Sequence, residues 1–158
     1  MKRFSQAPAD IRRLFHAIRA EHHPDLARAK IEVLTVETNA EVEPITVKLT
    51  GATARAGGAS DVVLIIDQAA WSEATDADRS ALLDNALAGL RVVHREGVLV
   101  VDAAGRPLIR RRKPTYRLAV HEDALQRHLE AIPGFGAVRS VERAVRRGKR
   151  QQTATVGA

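Results

Sequence analysis

The sequence contains no cysteine, which excludes disulfide bonds and cysteine-ligated metal sites. Aromatic residues are scarce: one Trp, one Tyr and three Phe. A surface that stacks the successive bases of a single strand needs more of them. No apolar stretch approaches the roughly 18 residues that cross a bilayer. The longest candidate, residues 62–66, is flanked by Asp61 and Asp67. Met1-Lys2-Arg3-Phe4 is not followed by the apolar segment of a secretory leader. The expectation is a cytoplasmic protein without membrane contact.

What is present suits one folded domain with a single core: 158 residues, of which 45% are hydrophobic. The net charge of +6 is unevenly spread. Residues 106–117 hold six basic residues and no acid, and residues 139–150 hold six basic residues and one acid. Together they carry +11, which leaves −5 for the rest of the chain. A mildly acidic body with two basic appendages suits a polyanionic partner. It suits equally a solvated loop and a disordered tail. The candidate binding residues are Arg110, Arg111, Arg112, Lys113 and Arg117, with Arg146, Arg147, Lys149 and Arg150. If 110–113 is a strand, alternate side chains face opposite ways and only half can meet one nucleic-acid backbone. No aromatic residue lies in 139–150, so contact there would be to phosphates, salt-sensitive and weakly sequence-specific.

Ile11, Leu14, Phe15 and Ile18 predict an amphipathic helix over 8–20, ended by His22-His23-Pro24. Residues 31–37 alternate and are β-branched, and 44–50 repeat the pattern, so both read as strands. Residues 52–60 read as a mobile, Gly-rich loop. The apolar run 61–67 reads as a central strand buried on both faces. Thr75 and Asp78 resemble a capping box with Asp in place of Glu, opening a helix over 76–93. A short strand at 97–101, a turn at 102–107 and a returning strand at 108–113 follow. Further helices are predicted from Tyr116 to Ile132 and, weakly, from Val138, with 151–158 disordered. The predicted fold is α+β: a single domain over 1–136, with a small mixed or antiparallel sheet packed on a central helix plus flanking helices. A basic C-terminal helix or tail occupies 137–158.

The central helix reads Ala81-Leu82-Leu83-Asp84-Asn85-Ala86-Leu87-Ala88-Gly89-Leu90. By its residues alone it is a core helix with a broad apolar face. A mid-helix Gly89 costs roughly 1 kcal/mol relative to Ala. It signals either close approach of a neighbour or relaxed selection at a former functional position. The spacing of 85, 86 and 89 is that of the HExxH motif, whose two His bind zinc from one helix face while the Glu polarises the attacking water.

This segment resembles the "ALLDHELAHL" stretch of a family of phage metallopeptidases with a zincin-like fold. His23-Pro24-Asp25-Leu26-Ala27 with Ala29-Lys30-Ile31 resembles the family's opening "HPxLAxARI". The strand before Trp71 resembles its central strand, residues 101–107 its acidic turn, and residues 110–116 its "RGRKHDY" stretch. The likeness spans roughly residues 8–130. It implies that Asn85 replaces the first zinc ligand, Ala86 the general base and Gly89 the second ligand. Pro114 and Thr115 fall where the third ligand is expected. Proline offers a metal no side-chain lone pair, an amide oxygen is a poor zinc ligand beside imidazole, and alanine transfers no proton.

The resemblance therefore implies a zincin-like domain without catalytic zinc, cofactor or peptidase activity, in a phage or prophage protein of the bacterial cytoplasm. It would act as a binding or regulatory module on a protein or a nucleic-acid backbone, with interference in a host defence system as one possible setting. One alternative is a DNA-binding accessory protein that uses 106–117 and 139–150. Another is a metallopeptidase with relocated ligands drawn from His94, His121 and Glu122. His22-His23 reads as a helix-ending turn and not as a ligand pair.

Overall fold

The computed structural model describes residues 2–37 and 43–112, and over them the chain is an α+β fold. The chain opens with β1 (Arg3–Gln6), α1 (Ala9–His22) and a 3-10 turn (Pro24–Leu26). It continues through β2 (Ile31–Glu37), β3 (Ile45–Leu49), the short helix α2 (Ala52–Ala56) and β4 (Val62–Asp67). Helices α3 (Gln68–Glu73) and α4 (Asp76–Ala88) follow, then four short strands: β5 (Leu90–Val92), β6 (His94–Arg95), β7 (Val98–Leu99) and β8 (Ile109–Arg111). The helices and tail expected beyond residue 112 lie outside the described residues.

The main sheet is mixed, in the order β1-β2-β4-β3. β2 and β4 run parallel at its centre, β1 pairs antiparallel with β2, and β3 pairs antiparallel with β4. After β2 the chain builds the far edge first, then returns through α2 to insert β4 between them. Val62, Leu64 and Ile66 are fully buried, whereas Val63 and Ile65 are only half-buried. β4 thus alternates, which corrects the expectation of equal burial on both faces. Its buried face shares a core with Ile11, Phe15 and Ile18 of α1 and with Leu83, Ala86 and Leu87 of α4.

α1 follows its apolar spacing and runs on to His22. His23 caps it by donating its N–H to the Arg19 carbonyl, and Pro24 opens the 3-10 turn. The capping box of α4 forms with both bonds: Thr75 Oγ1 accepts from the Asp78 N–H at 3.2 Å, and Asp78 Oδ2 accepts from the Thr75 N–H at 3.3 Å. This helix stops at Ala88, short of the expected Val93. Gly89 is its C-cap, and the last carbonyls are claimed from outside the helix. The Arg112 N–H donates to the Gly89 carbonyl, and the Arg112 guanidinium to the Ala88 carbonyl. Leu90 to Val92 are then free to pair with β8.

Three elements were not anticipated. β1 is an edge strand that sets Phe4 opposite Val36. α2 occupies part of the expected loop, and α3 carries Trp71 into the core. The last strands also differ from the simple hairpin that was expected. Val93 donates to Leu108, Leu108 to Val100 and Val100 to Val93, each at 2.9 Å, closing a triangle of backbone hydrogen bonds. Three ladders radiate from it: β5 with β8, β6 with β7, and a bridge from Val101 to Pro107. The β6–β7 tip is a two-residue loop with positive φ at Glu96 (53°) and Gly97 (77°), the geometry that a type I′ hairpin requires.

Candidate functional site

The positions singled out on the central helix sit in its last turn and at its cap. Asn85 is half-buried, Ala86 is 8% exposed and Gly89 is half-buried. A Cβ added at Gly89 would meet only the Ala86 carbonyl oxygen, at 3.5 Å, an ordinary contact. Close approach of a neighbour therefore does not explain this glycine. It lies at the helix end, with φ −77° and ψ 2°, so the mid-helix cost expected from sequence does not apply. None of these three side chains offers an imidazole, thiolate or carboxylate to a metal.

The adjacent carboxylate, Asp84, is already committed. His23 Nε2 lies 2.6 Å from Asp84 Oδ1, and both side chains are 3% exposed. His23 caps α1 and Asp84 lies within α4, so the pair fastens the start of the 3-10 turn to the body of α4. A buried carboxylate needs such a partner, because desolvation without one costs several kcal/mol. The pair is sealed from solvent and holds no open face to a substrate. Sequence reasoning identified the turn at His22-His23 but not this contact. The available signal was Asp84 itself, an acid within the run Leu82-Leu83-Asp84 of a core helix.

Beside α4 runs one edge of the main sheet. β3 packs against α4 and is an edge strand among the described residues. Thr50 N–H donates to the Asp61 carbonyl and Asp67 N–H to the Pro44 carbonyl. With the register Thr46↔Ile65 and Lys48↔Val63, the even-numbered residues of this stretch bond to β4. The N–H and C=O groups of Ile45, Val47 and Leu49 therefore point outward along the edge. Over five residues this edge extends for ~17 Å, and Leu49 is 40% exposed.

The basic residues divide into inward and outward sets. Asp61, 2% exposed, accepts from Lys30 N–H and from Arg55 Nε, both at 2.8 Å, and lies 3.6 Å from the Arg106 guanidinium. Arg55 also reaches the Pro107 carbonyl and Asp102, while Arg106 donates to the Ala59 and Arg55 carbonyls. The Arg106 backbone N–H holds the Asp102 carboxyl below its ordinary pKa against a desolvation that raises it. The Ala104 N–H and the Arg55 and Arg106 charges assist. Arg106 is thus an internal fastener, and Arg112, though exposed, is tied to the end of α4. Arg110 and Arg111 are exposed, and Arg110 stands directly across the ladder from exposed Arg91. Neither Arg91 nor Arg110 has a carboxylate partner among the described residues. Lys113, Pro114, Thr115, Arg117, His121, Glu122, Arg146, Arg147, Lys149 and Arg150 lie outside the described residues.

His94 is exposed on β6. No group of three His, Cys, Asp or Glu side chains is placed to hold a metal among the described residues, and no helix there is long and apolar enough to cross a membrane. Comparison with models of known protein families, with curated proteins and with solved structures returned no match.

Proposed function

We propose that this protein is a catalytically inactive, zincin-like domain that binds an extended polypeptide along β3 without cleaving it. The observation that carries the reading is the juxtaposition of α4 and β3. A helix with Asn85, Ala86 and Gly89 at the HExxH spacing packs beside a sheet edge that is unpaired among the described residues. In an active zincin such an edge holds the substrate next to the metal. Here the edge keeps its outward backbone groups, while the neighbouring positions supply neither ligand nor base. Phage or prophage origin, a bacterial cytoplasmic location and a role against host defence belong to the same reading and rest on the family resemblance.

Leu49→Pro tests the binding mode. Its N–H points outward, so proline removes an edge donor while leaving the β3–β4 ladder intact. Capture of extended peptides from a random display library should fall for a Leu49→Pro protein of unchanged melting temperature. Equal capture by both proteins would sink the edge-binding mode. The family frame is tested separately by combining Asn85→His, Ala86→Glu, Gly89→His and Pro114→His. That variant should bind zinc stoichiometrically; a folded variant without zinc affinity would reject the frame.

A second reading is favoured by the Arg91–Arg110 pair. Like charges directly opposite on two strands repel, and a phosphate bridging them would reverse that cost. Under this reading the protein contacts a nucleic-acid backbone. Arg91→Gln with Arg110→Gln should flatten the salt dependence of duplex binding by about one unit of slope per lost phosphate contact.

A further inference from the structure

We propose that a groove beside α1 binds a small phosphate ester of a hydroxylated alcohol, of the size of a nucleoside monophosphate or sugar phosphate. The groove has a volume of about 420 Å³ and lies between α1, the start of β2 and the turn after α2. That volume is within the ~300–1,000 Å³ of small-molecule sites. It is separate from the β3 edge and does not depend on how that edge is used.

Its lining holds two cations, Arg12 and Lys30, and one carboxylate, Glu32. Arg12 and Lys30 both border it, and neither has an ion-pair partner among the described residues. Lys30 Nζ donates to the Gly58 carbonyl at 3.1 Å, which leaves two of its three donors unused. Behind them sits Arg19. Its guanidinium stacks 5.1 Å above the Phe15 ring and donates to the Ala29 carbonyl and to His16 Nδ1. It too has no carboxylate partner among the described residues, and burial pushes its pKa below the ordinary value. A half-buried cation without a counter-charge is relieved by an incoming anion.

The Arg19 contact also fixes His16. A guanidinium can only donate, so Nδ1 holds the lone pair and the ring proton sits on Nε2. His16 therefore offers one N–H donor beside Arg12 and Lys30. Three donors of this kind suit the oxygens of a phosphate dianion.

The single carboxylate in the lining, Glu32, does not cancel this charge by direct pairing. Its Oε1 accepts from Gln6 Nε2 at 2.9 Å and its Oε2 from Ser60 Oγ at 3.2 Å. Each oxygen keeps a second lone pair, an acceptor for hydroxyls on the alcohol part of the ester. A dianion at one end and hydroxyls at the other define the ligand class.

Calorimetric titration at low salt with adenosine 5′-monophosphate, ribose 5-phosphate, inorganic phosphate and adenosine tests the proposal. At least one of the two esters should bind saturably, phosphate more weakly, and adenosine not at all. Which ester is tighter tells a nucleotide from a sugar phosphate. Arg12→Gln with Lys30→Gln should weaken the ester by about tenfold or more, the loss expected for charge-assisted hydrogen bonds. Glu32→Gln should weaken the esters more than it weakens phosphate. Arg110→Gln with Arg111→Gln should change nothing. On the unaltered protein, amide shifts on adding ester should centre on residues 30–33 and 58–60. Three results would overturn the site: no saturable ester binding at millimolar ligand, binding indifferent to Arg12 and Lys30, or binding removed equally by the Arg110 and Arg111 changes.

Discussion

Arg55 and Arg106 share a residue type with Arg91 and Arg110, and almost nothing else. The first two lie 11% and 18% exposed against Asp61 and Asp102 and between backbone carbonyls. They join the turn after α2 to the loop before β8. The second two stand exposed and face to face on the β5–β8 ladder. The difference is set by where acids are buried. Asp61 enters the interior at the head of β4 and must recruit cations, because an unpaired buried carboxylate is costly. No carboxylate pairs with Arg91 among the described residues, and its exposed charge stays in water. The described part of the basic segment, residues 106–112, is therefore not one surface: its first arginine is structural, Arg112 caps α4, and Arg110 and Arg111 face outward.

Asp61→Ala should do the most damage. It strands two partly buried guanidiniums and the Lys30 N–H, so unfolding in urea should show a loss of ~3–5 kcal/mol. Arg91→Gln with Arg110→Gln should stay within about 0.5 kcal/mol of the parent, or gain slightly by removing repulsion. Similar costs for the two changes would erase the distinction between inner and outer arginines.

The His23–Asp84 pair extends the inner class to a buried hydrogen-bonded pair. Asp84→Ala should cost about 3 kcal/mol, and His23→Leu a comparable amount. The double variant His23→Leu, Asp84→Ala should cost clearly less than the two single changes together, since the contact between the two side chains is lost only once. Strict additivity in a double-mutant cycle would mean the two side chains are not energetically joined.

Asp102, at the rim of the inner cluster, should give a smaller effect than Asp61 or Asp84, and a pH-dependent one. Its folded-state pKa is depressed, first by the Arg106 backbone N–H. The ionised group therefore adds stability above the unfolded-chain value, and that contribution is lost as pH falls through the lower folded value. Asp102→Asn keeps an oxygen for the Ala104 and Arg106 N–H groups but not the charge. The stability gap between parent and variant should be full near neutral pH and should close in strongly acidic solution. A gap that stays constant from neutral to acid pH would show that the charge contributes nothing.

How much of this was legible depended on sequence distance. β2 falls on residues 31–37 as read, because alternation of β-branched residues is a local signal. The Thr75–Asp78 box is equally local, needing four consecutive residues. α2 was hidden because Ala52 to Gly58 reads as a loop by composition. What holds it are Arg55 contacts to Asp61, Asp102 and Pro107. β1 has no alternation of its own and borrows its conformation from β2. The end of α4 was misplaced because Arg112, far down the chain, takes its carbonyls. At the candidate site, the helix bearing Asn85, Ala86 and Gly89 was visible as a helix. The commitment of Asp84 to His23 was not, since 61 positions separate them.

The backbone triangle of Val93, Val100 and Leu108 bears on how this protein can change over time. Each of its three residues belongs to two arms at once, so an arm cannot slip in register without breaking a bond of the triangle. The turn at residues 102–105 is tied down by Arg55 and Arg28, which reach the Asp102 carboxyl and the Gly105 carbonyl. Insertions or deletions are therefore best absorbed at the other tip, the turn at Glu96-Gly97. That tip can lengthen, shorten or exchange residues while the triangle keeps its base fixed, a natural place to graft a recognition segment without disturbing the fold.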